Sequence, residues 1–113
     1  MDRIVHYQNL IKHFFESYTS IWMAPPQPPY DIMLAFDDHH RQYMMRELGW
    51  TESRRIHRTI LHVVLKNDKI WIEEDMTEDG IATYFLEQGV PRNDIVLGFQ
   101  HPSMRPFTEF AVE

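Results

Sequence analysis

Between Asp31 and Glu74 the chain is strand-forming almost throughout. Polar turn signals interrupt it three times, at Asp37-Asp38-His39-His40, Thr51-Glu52-Ser53-Arg54 and Asn67-Asp68. Such residues close turns through their own short polar side chains. Four strand candidates result, and short connections of this kind join antiparallel neighbours in a meander. If the last two signals are hairpin turns, Trp50 stands opposite Arg55 and Lys66 opposite Lys69. That register puts Glu47 across from Arg58 and His62 across from Glu73, pairings of opposite charge that support it.

The register also sorts side chains by face, because successive residues of a strand point to opposite sides. Straight alternation places Met44, Leu48, Trp50, Leu61, Val63, Leu65, Ile70 and Ile72 on one side. The other receives Tyr43, Met45, Ile56, Ile60, Val64 and Trp71, joined by Ile32, Leu34 and Phe36 from the first strand. Both sides are apolar, whereas a sheet with one wet face would alternate cleanly. One helix cannot hide both, so the second set is the expected interface for a partner or a second copy, and a homodimer is the expected state.

The flanks supply the covering elements. Ile4, Tyr7, Ile11, Phe14 and Tyr18 recur three and four apart, with Leu10, Phe15 and Ile21 widening the stripe. This spacing predicts an amphipathic helix from residue 2 to about 21. Pro25-Pro26-Gln27-Pro28-Pro29 excludes helix and ladder alike and reads as an extended connector, with a PxxP ligand as the alternative. After the fourth strand, Thr77 or Asp75 can cap a second helix whose positive end Glu78 and Asp79 favour, and Gly89 stops it. Pro91-Arg92-Asn93-Asp94 forms a turn. Ile95-Val96-Leu97 is a short buried strand or a core-filling extended segment, and an irregular tail begins at Gly98. The expected fold is α+β, with an N-terminal helix, a four-stranded antiparallel meander, a second helix and an irregular C-terminal segment, in one domain spanning residues 1–113.

Composition narrows the function classes. No apolar run approaches the ~18 residues of a membrane span, and the charged start Asp2-Arg3 lacks the pattern of a secretory signal, so a cytoplasmic location away from membranes is expected. Cysteine is absent, which excludes disulfides, thiolate nucleophiles and cysteine-bound zinc. The net charge of −6 is uneven: residues 73–113 carry nine acidic and two basic side chains, residues 1–72 eight and nine. A DNA duplex would be repelled by the C-terminal part. The local basic excess lies at Arg41, Arg46, Arg54, Arg55 and Arg58, opposed by Glu47 and Glu52.

Candidate chemistry is sparse. Asp37, Asp38, His39 and His40 hold the donor atoms for a divalent metal, as a metal-dependent hydrolase or nuclease would need. Consecutive side chains diverge, however, which favours a polar turn. His57 and His62 are five apart on one strand and point to opposite faces. The acids Glu73, Glu74, Asp75, Glu78 and Asp79 read as a solvated strand exit and helix start rather than an acid–base pair. Four glycines, at 49, 80, 89 and 98, cannot write a phosphate-binding loop. No catalytic residue, metal or cofactor is therefore expected. Direct DNA contact through Arg54, Arg55 and Arg58 is the remaining alternative.

Gly49-Trp50, Arg54-Arg55-Ile56-His57, the run from Lys69 to Gly98 and Arg105-Pro106-Phe107-Thr108-Glu109-Phe110-Ala111-Val112 together resemble the XisI-type fdxN element excision controlling factors, over about two thirds of the chain. Thr51-Glu52-Ser53 departs from the Asp-Gly-like turn of that pattern. The resemblance implies a non-catalytic role in programmed removal of a DNA element. It also implies a nuclease-like partner of the XisH type, and an indirect association with a recombinase and DNA. Trp71, Gly80, Gly89, Pro91, Gly98, Arg105, Pro106 and Phe107 carry over from it as fold markers, not as an active site.

Overall fold

The computed structural model describes residues 2–113. Helix α1 (Arg3–Trp22) starts at Asp2, whose Oδ1 accepts from the Ile4 amide at 3.0 Å, and so satisfies one of the free donors of the first turn. The strands are β1 (Tyr30–Asp37), β2 (Gln42–Trp50), β3 (Arg55–Lys66) and β4 (Lys69–Asp75), followed by α2 (Ile81–Glu87) and β5 (Ile95–Leu97). Short 3₁₀ turns, Arg92–Asp94 and Pro102–Phe107, flank β5. The sheet order is β1-β2-β3-β4-β5. The first four strands form the expected meander. The fifth pairs parallel to β4, with Trp71 beside Val96. Residues 76–94, including α2, form the long crossover that a parallel return requires.

The turns follow their residues. Asn67 and Asp68 both take positive φ, 55° and 60°, the backbone of a two-residue hairpin turn, and Lys66 pairs with Lys69 as expected. The Thr51–Arg54 loop is closed from both sides: the Thr51 amide donates to the Arg54 carbonyl at 2.9 Å, and the Arg54 amide donates to Thr51 Oγ1 at 3.1 Å. Asp75 caps the entry to α2 from a distance. Its Oδ2 accepts from the Ile81 amide at 2.8 Å, while Oδ1 holds the Thr77 amide at 2.9 Å and the Thr77 hydroxyl at 2.5 Å.

Two bulges change the faces. Trp50–Arg55 and Glu47–Arg58 pair as expected, but the register shifts between Met45 and Arg46, so that Met45 lies opposite Leu61 and Tyr43 opposite Val63. A second shift next to Val63 sets His62 against Glu74 rather than Glu73. An extra residue on one strand reverses the alternation beyond it. The expected division into two mixed apolar sides is thereby corrected. Tyr43 and Met45 move to the side of Leu61, Val63, Leu65, Ile70 and Ile72, and Ile32 and Leu34 of β1 join them through their pairing with Glu47 and Met45.

That side is the core. Ile4, Tyr7, Ile11 and Phe15 of α1, and Ile81 and Phe85 of α2, pack with it into one buried cluster. Ile11, Phe15, Met45, Leu61 and Phe85 are wholly withdrawn from water. Each fully buried side chain of this size contributes about 1.5–3 kcal/mol relative to exposure. The Tyr7 hydroxyl donates to Asp94 Oδ2 at 2.5 Å and ties α1 to the turn before β5.

Two glycines sit where a side chain would not. Gly49 has φ +148° next to Tyr30, and an added Cβ would lie 2.9 Å from the Tyr30 Cα; Gly89, just past α2, has φ +87° with open space around it. Gly49→Ala should therefore cost more than Gly89→Ala. The latter carries backbone strain alone, about 1–2 kcal/mol; the former must also move β1 away. Urea unfolding at unchanged m-value reads the difference, and equal losses would show that the β1–β2 approach is not set at Gly49.

Candidate protein interface

The bulges decide what the sheet offers to a partner. Of the nine residues expected to form an interface, Tyr43, Met45 and Ile60 belong to the buried core cluster, and Ile32 and Leu34 pack partly buried against it. Ile56 is buried on β3, and Phe36 lies between the rings of Phe15 and Tyr43 at 5.9 and 6.0 Å, with 38% of its surface exposed. Only Val64 and Trp71 face the other side of the sheet. The nine do not make one surface, because alternation carried through without a bulge puts β2 out of phase with β3.

The side opposite the helices carries Met33, Met44, Arg46, Leu48, Trp50, His57, Thr59, His62, Val64 and Trp71. Its β4–β5 end is covered. Trp71 is buried, with its Nε1 donating to the Lys66 carbonyl at 3.2 Å; Lys66 Nζ lies 3.9 Å from the ring centroid, and the Arg105 guanidinium sits 5.2 Å away. Arg105 also clips the C-terminal segment together, donating to the carbonyls of Gln100 at 3.1 Å, Gly98 at 3.3 Å and Val112 at 3.5 Å. Ala111 pairs along the outer edge of β5 at Val96. The β1–β2 end is open: Met33 is 53% and Trp50 59% exposed, Leu48 is half-buried between them, and Met44 and Val64, also half-buried, lie beyond Arg46 on the same face.

The basic residues are divided among different places. Arg58 lies on the helix side, where its Nε donates to the buried Glu47 at 2.6 Å, and this bond holds the guanidinium pKa above its ordinary value. Arg55 lies on the open side, over the Trp50 ring at 5.7 Å, and Arg54 is in the exposed loop. Arg46, also on the open side, donates to Thr59 Oγ1. Arg54, Arg55 and Arg58 thus form no single row for a phosphate backbone.

The acid–imidazole turn is internally engaged. Asp37 accepts from the His40 amide at 3.0 Å and meets its ring Nδ1 at 2.7 Å. Asp38 binds Lys12 Nζ at 2.6 Å and the Tyr43 hydroxyl at 2.7 Å, while His39 stands edge-on to His40. Among the described residues no three His, Asp or Glu side chains converge to hold a metal ion. These hydrogen bonds pull both carboxyls below their usual range: the His40 amide acts on Asp37, and Lys12 on Asp38.

The markers have separate duties. Gly80 (φ +79°) and Gly89 bracket α2, Gly98 packs against the Glu73 side chain, and Pro91 accepts from the Asp94 amide at 2.9 Å. Trp71 and Arg105 hold the C-terminal segment. Pro106 and Phe107 lie in the second 3₁₀ turn, where Phe107 is 82% exposed. Reading by period missed that Glu47 is buried, the one such charged side chain among the described residues; its place opposite Arg58 was the available signal.

One mixed sheet, helices over one face and a clipped segment over one end of the other define a small α+β protein. No described helix is long and apolar enough to cross a membrane. The XisI protein family model matches residues 1–112, and the chain belongs to the XisI family. It is similar to the crystal structure of fdxN element excision controlling factor XisI from Anabaena variabilis ATCC 29413. The TM-score is 0.86 at 37% identity, covering 99% of this chain and 100% of that one. A XisI-like protein from the same organism gives a TM-score of 0.88 at 33% identity, covering 97% of this chain and 99% of that one. None of the curated proteins matches.

The buried tyrosines predict the alkaline limit of stability. Burial, reinforced by Asp94, pushes the Tyr7 hydroxyl up to about 12, and burial with Asp38 raises that of Tyr43 further. A folded pKa above the unfolded value contributes stability that is complete below about pH 10 and lost as pH rises through the folded value. Urea midpoints should therefore fall between about pH 10 and pH 12, less steeply in Tyr7→Phe. An identical slope in that variant would dissociate the alkaline transition from this contact.

Proposed function

We propose that this chain is a non-catalytic controlling factor for programmed excision of a DNA element, acting in the cytoplasm through protein–protein association. It associates with itself as a dimer and with a nuclease-like protein of the XisH type, which links it indirectly to the recombinase and DNA. Family membership and the name of its excision-controlling relative support the role. The observation that carries the mode of action is the open end of the sheet, where Met33, Met44, Leu48, Trp50 and Val64 flank Arg46 on a face that neither helix covers. An aromatic anchor among aliphatic neighbours is the composition of an interface centre. Engagement of Asp37 with His40, and of Asp38 with Lys12 and Tyr43, supports placing the chemistry in the partner.

The test is a Met33→Glu/Trp50→Ser double variant, tagged and expressed in the native host beside the wild type. Both side chains are exposed, so the variant should keep its fold, each change costing within about 0.5 kcal/mol. The wild type should co-purify with a nuclease-like protein and sediment as a dimer at tens of micromolar, and the variant should lose both. A monomeric wild type that captures no partner, or a variant that retains both associations, would overturn the proposal. Retardation of duplex DNA by the wild type alone, falling steeply with salt, would instead assign the face to nucleic acid.

A further inference from the structure

A second surface lies on the other side of the molecule, between α1 and α2. At the end of α1, Ile21 is 75% and Trp22 47% exposed. From α2 to the end of α1 the rings of Tyr84, Phe14, Tyr18 and Trp22 form a ladder, with successive centroids 5.1, 6.0 and 5.9 Å apart. They line a groove of about 700 Å³, whose opposite wall is the loop entering α2 and the outer side of that helix. This wall carries Glu78, Asp79 and Glu87, and among the described residues no lysine or arginine lines the groove. His13 stacks on Tyr84 at 6.5 Å, so it belongs to the ladder's outer edge.

Three properties restrict the occupant. Aromatic faces attract cations and repel anions, because the ring quadrupole is negative above the plane. The charges on the wall are of one sign, and complementary fields steer and select partners. The ladder also extends over four rings, further than a single ammonium or guanidinium reaches. Of the chain's own cations, Arg58 is held by Glu47, Arg46 by Thr59 and Arg55 by the Gly49 carbonyl at 3.2 Å, while the exposed Arg41 and Arg54 sit in short turns beside Asp37-Asp38 and Glu52, whose carboxylates the acidic wall would repel. A second copy therefore does not supply the match.

We propose that this groove docks a lysine- or arginine-bearing segment of a different protein. Its apolar side chains lie on the aromatic ladder, and its cationic heads sit over ring faces and against Glu78, Asp79 and Glu87. The surface is separate from the open sheet face, so the chain has two docking sites and can join two proteins.

Titration of the full ¹⁵N-labelled chain with two short synthetic peptides tests this. One carries lysine and arginine between leucine and phenylalanine residues; the other has glutamate at the basic positions. The basic peptide should shift the Trp22 indole and the amides of residues 76–87 saturably, and the acidic peptide should not. Affinity should fall with added salt and drop at least tenfold in the E78Q/D79N/E87Q variant, whose substitutions are all at exposed sites. No saturable shift, unchanged affinity in the variant, or shifts centred on Trp50 would overturn the proposal. So would arginine amide saturating the same shifts as tightly as the peptide, since the groove would then hold a small cation rather than a segment.

Discussion

Withdrawal of Ile11 and Phe15 of α1, Phe85 of α2 and the row Met45, Leu61, Val63 and Ile72 from water is the contact on which the other features depend. It uses both helices on the same side of the sheet, so nothing of comparable size remains for the other side. The order of the sheet follows from the same economy of elements. By crossing back beneath the core with Ile81 and Phe85 inward, α2 delivers β5 parallel to β4 and seals that edge.

The two bulges make this one-sided burial possible. Without the shift beside Arg46, Tyr43 and Met45 would face away from Leu61 and Val63, and each side of the sheet would be half greasy. With it, the helix side becomes almost continuously apolar, interrupted by Glu47, whose charge Arg58 meets at 2.6 Å. A buried carboxylate without such a partner would be costly. The opposite side then retains Met33, Met44, Leu48, Trp50 and Val64 beside Arg46 and His57, a mixture suited to contact with another surface rather than to a sealed core.

The C-terminal segment shows how far one chain can cover that side. Arg105 spends its donors on three carbonyls of the segment while its guanidinium stacks toward Trp71, so a single side chain both shapes the tail and holds it on the sheet. The cover ends there, which leaves the β1–β2 end to the solvent. The acidic aromatic groove between the helices has a different origin. It lies between the end of α1, where Ile21 and Trp22 are exposed, and the loop entering α2.

Much was legible in the sequence because it depends on local chemistry. Apolar spacing marked α1, the Asn67-Asp68 and Thr51–Arg54 turns anchored two hairpins, and Asp75 and Gly89 bounded α2, whereas Thr77, Glu78 and Asp79 precede the helix, which starts at Ile81. The motifs around Lys69–Gly98 and Arg105 also carried the family. Tertiary structure alone decided which residues face water. A bulge adds one residue to a strand without a distinctive side chain, yet it inverts every position beyond it, and the energy that selects it comes from packing against helices distant in sequence. For that reason the expected interface of Tyr43, Met45 and Ile60 became core, and Trp50, expected on the side of Leu61 and Ile72, became surface.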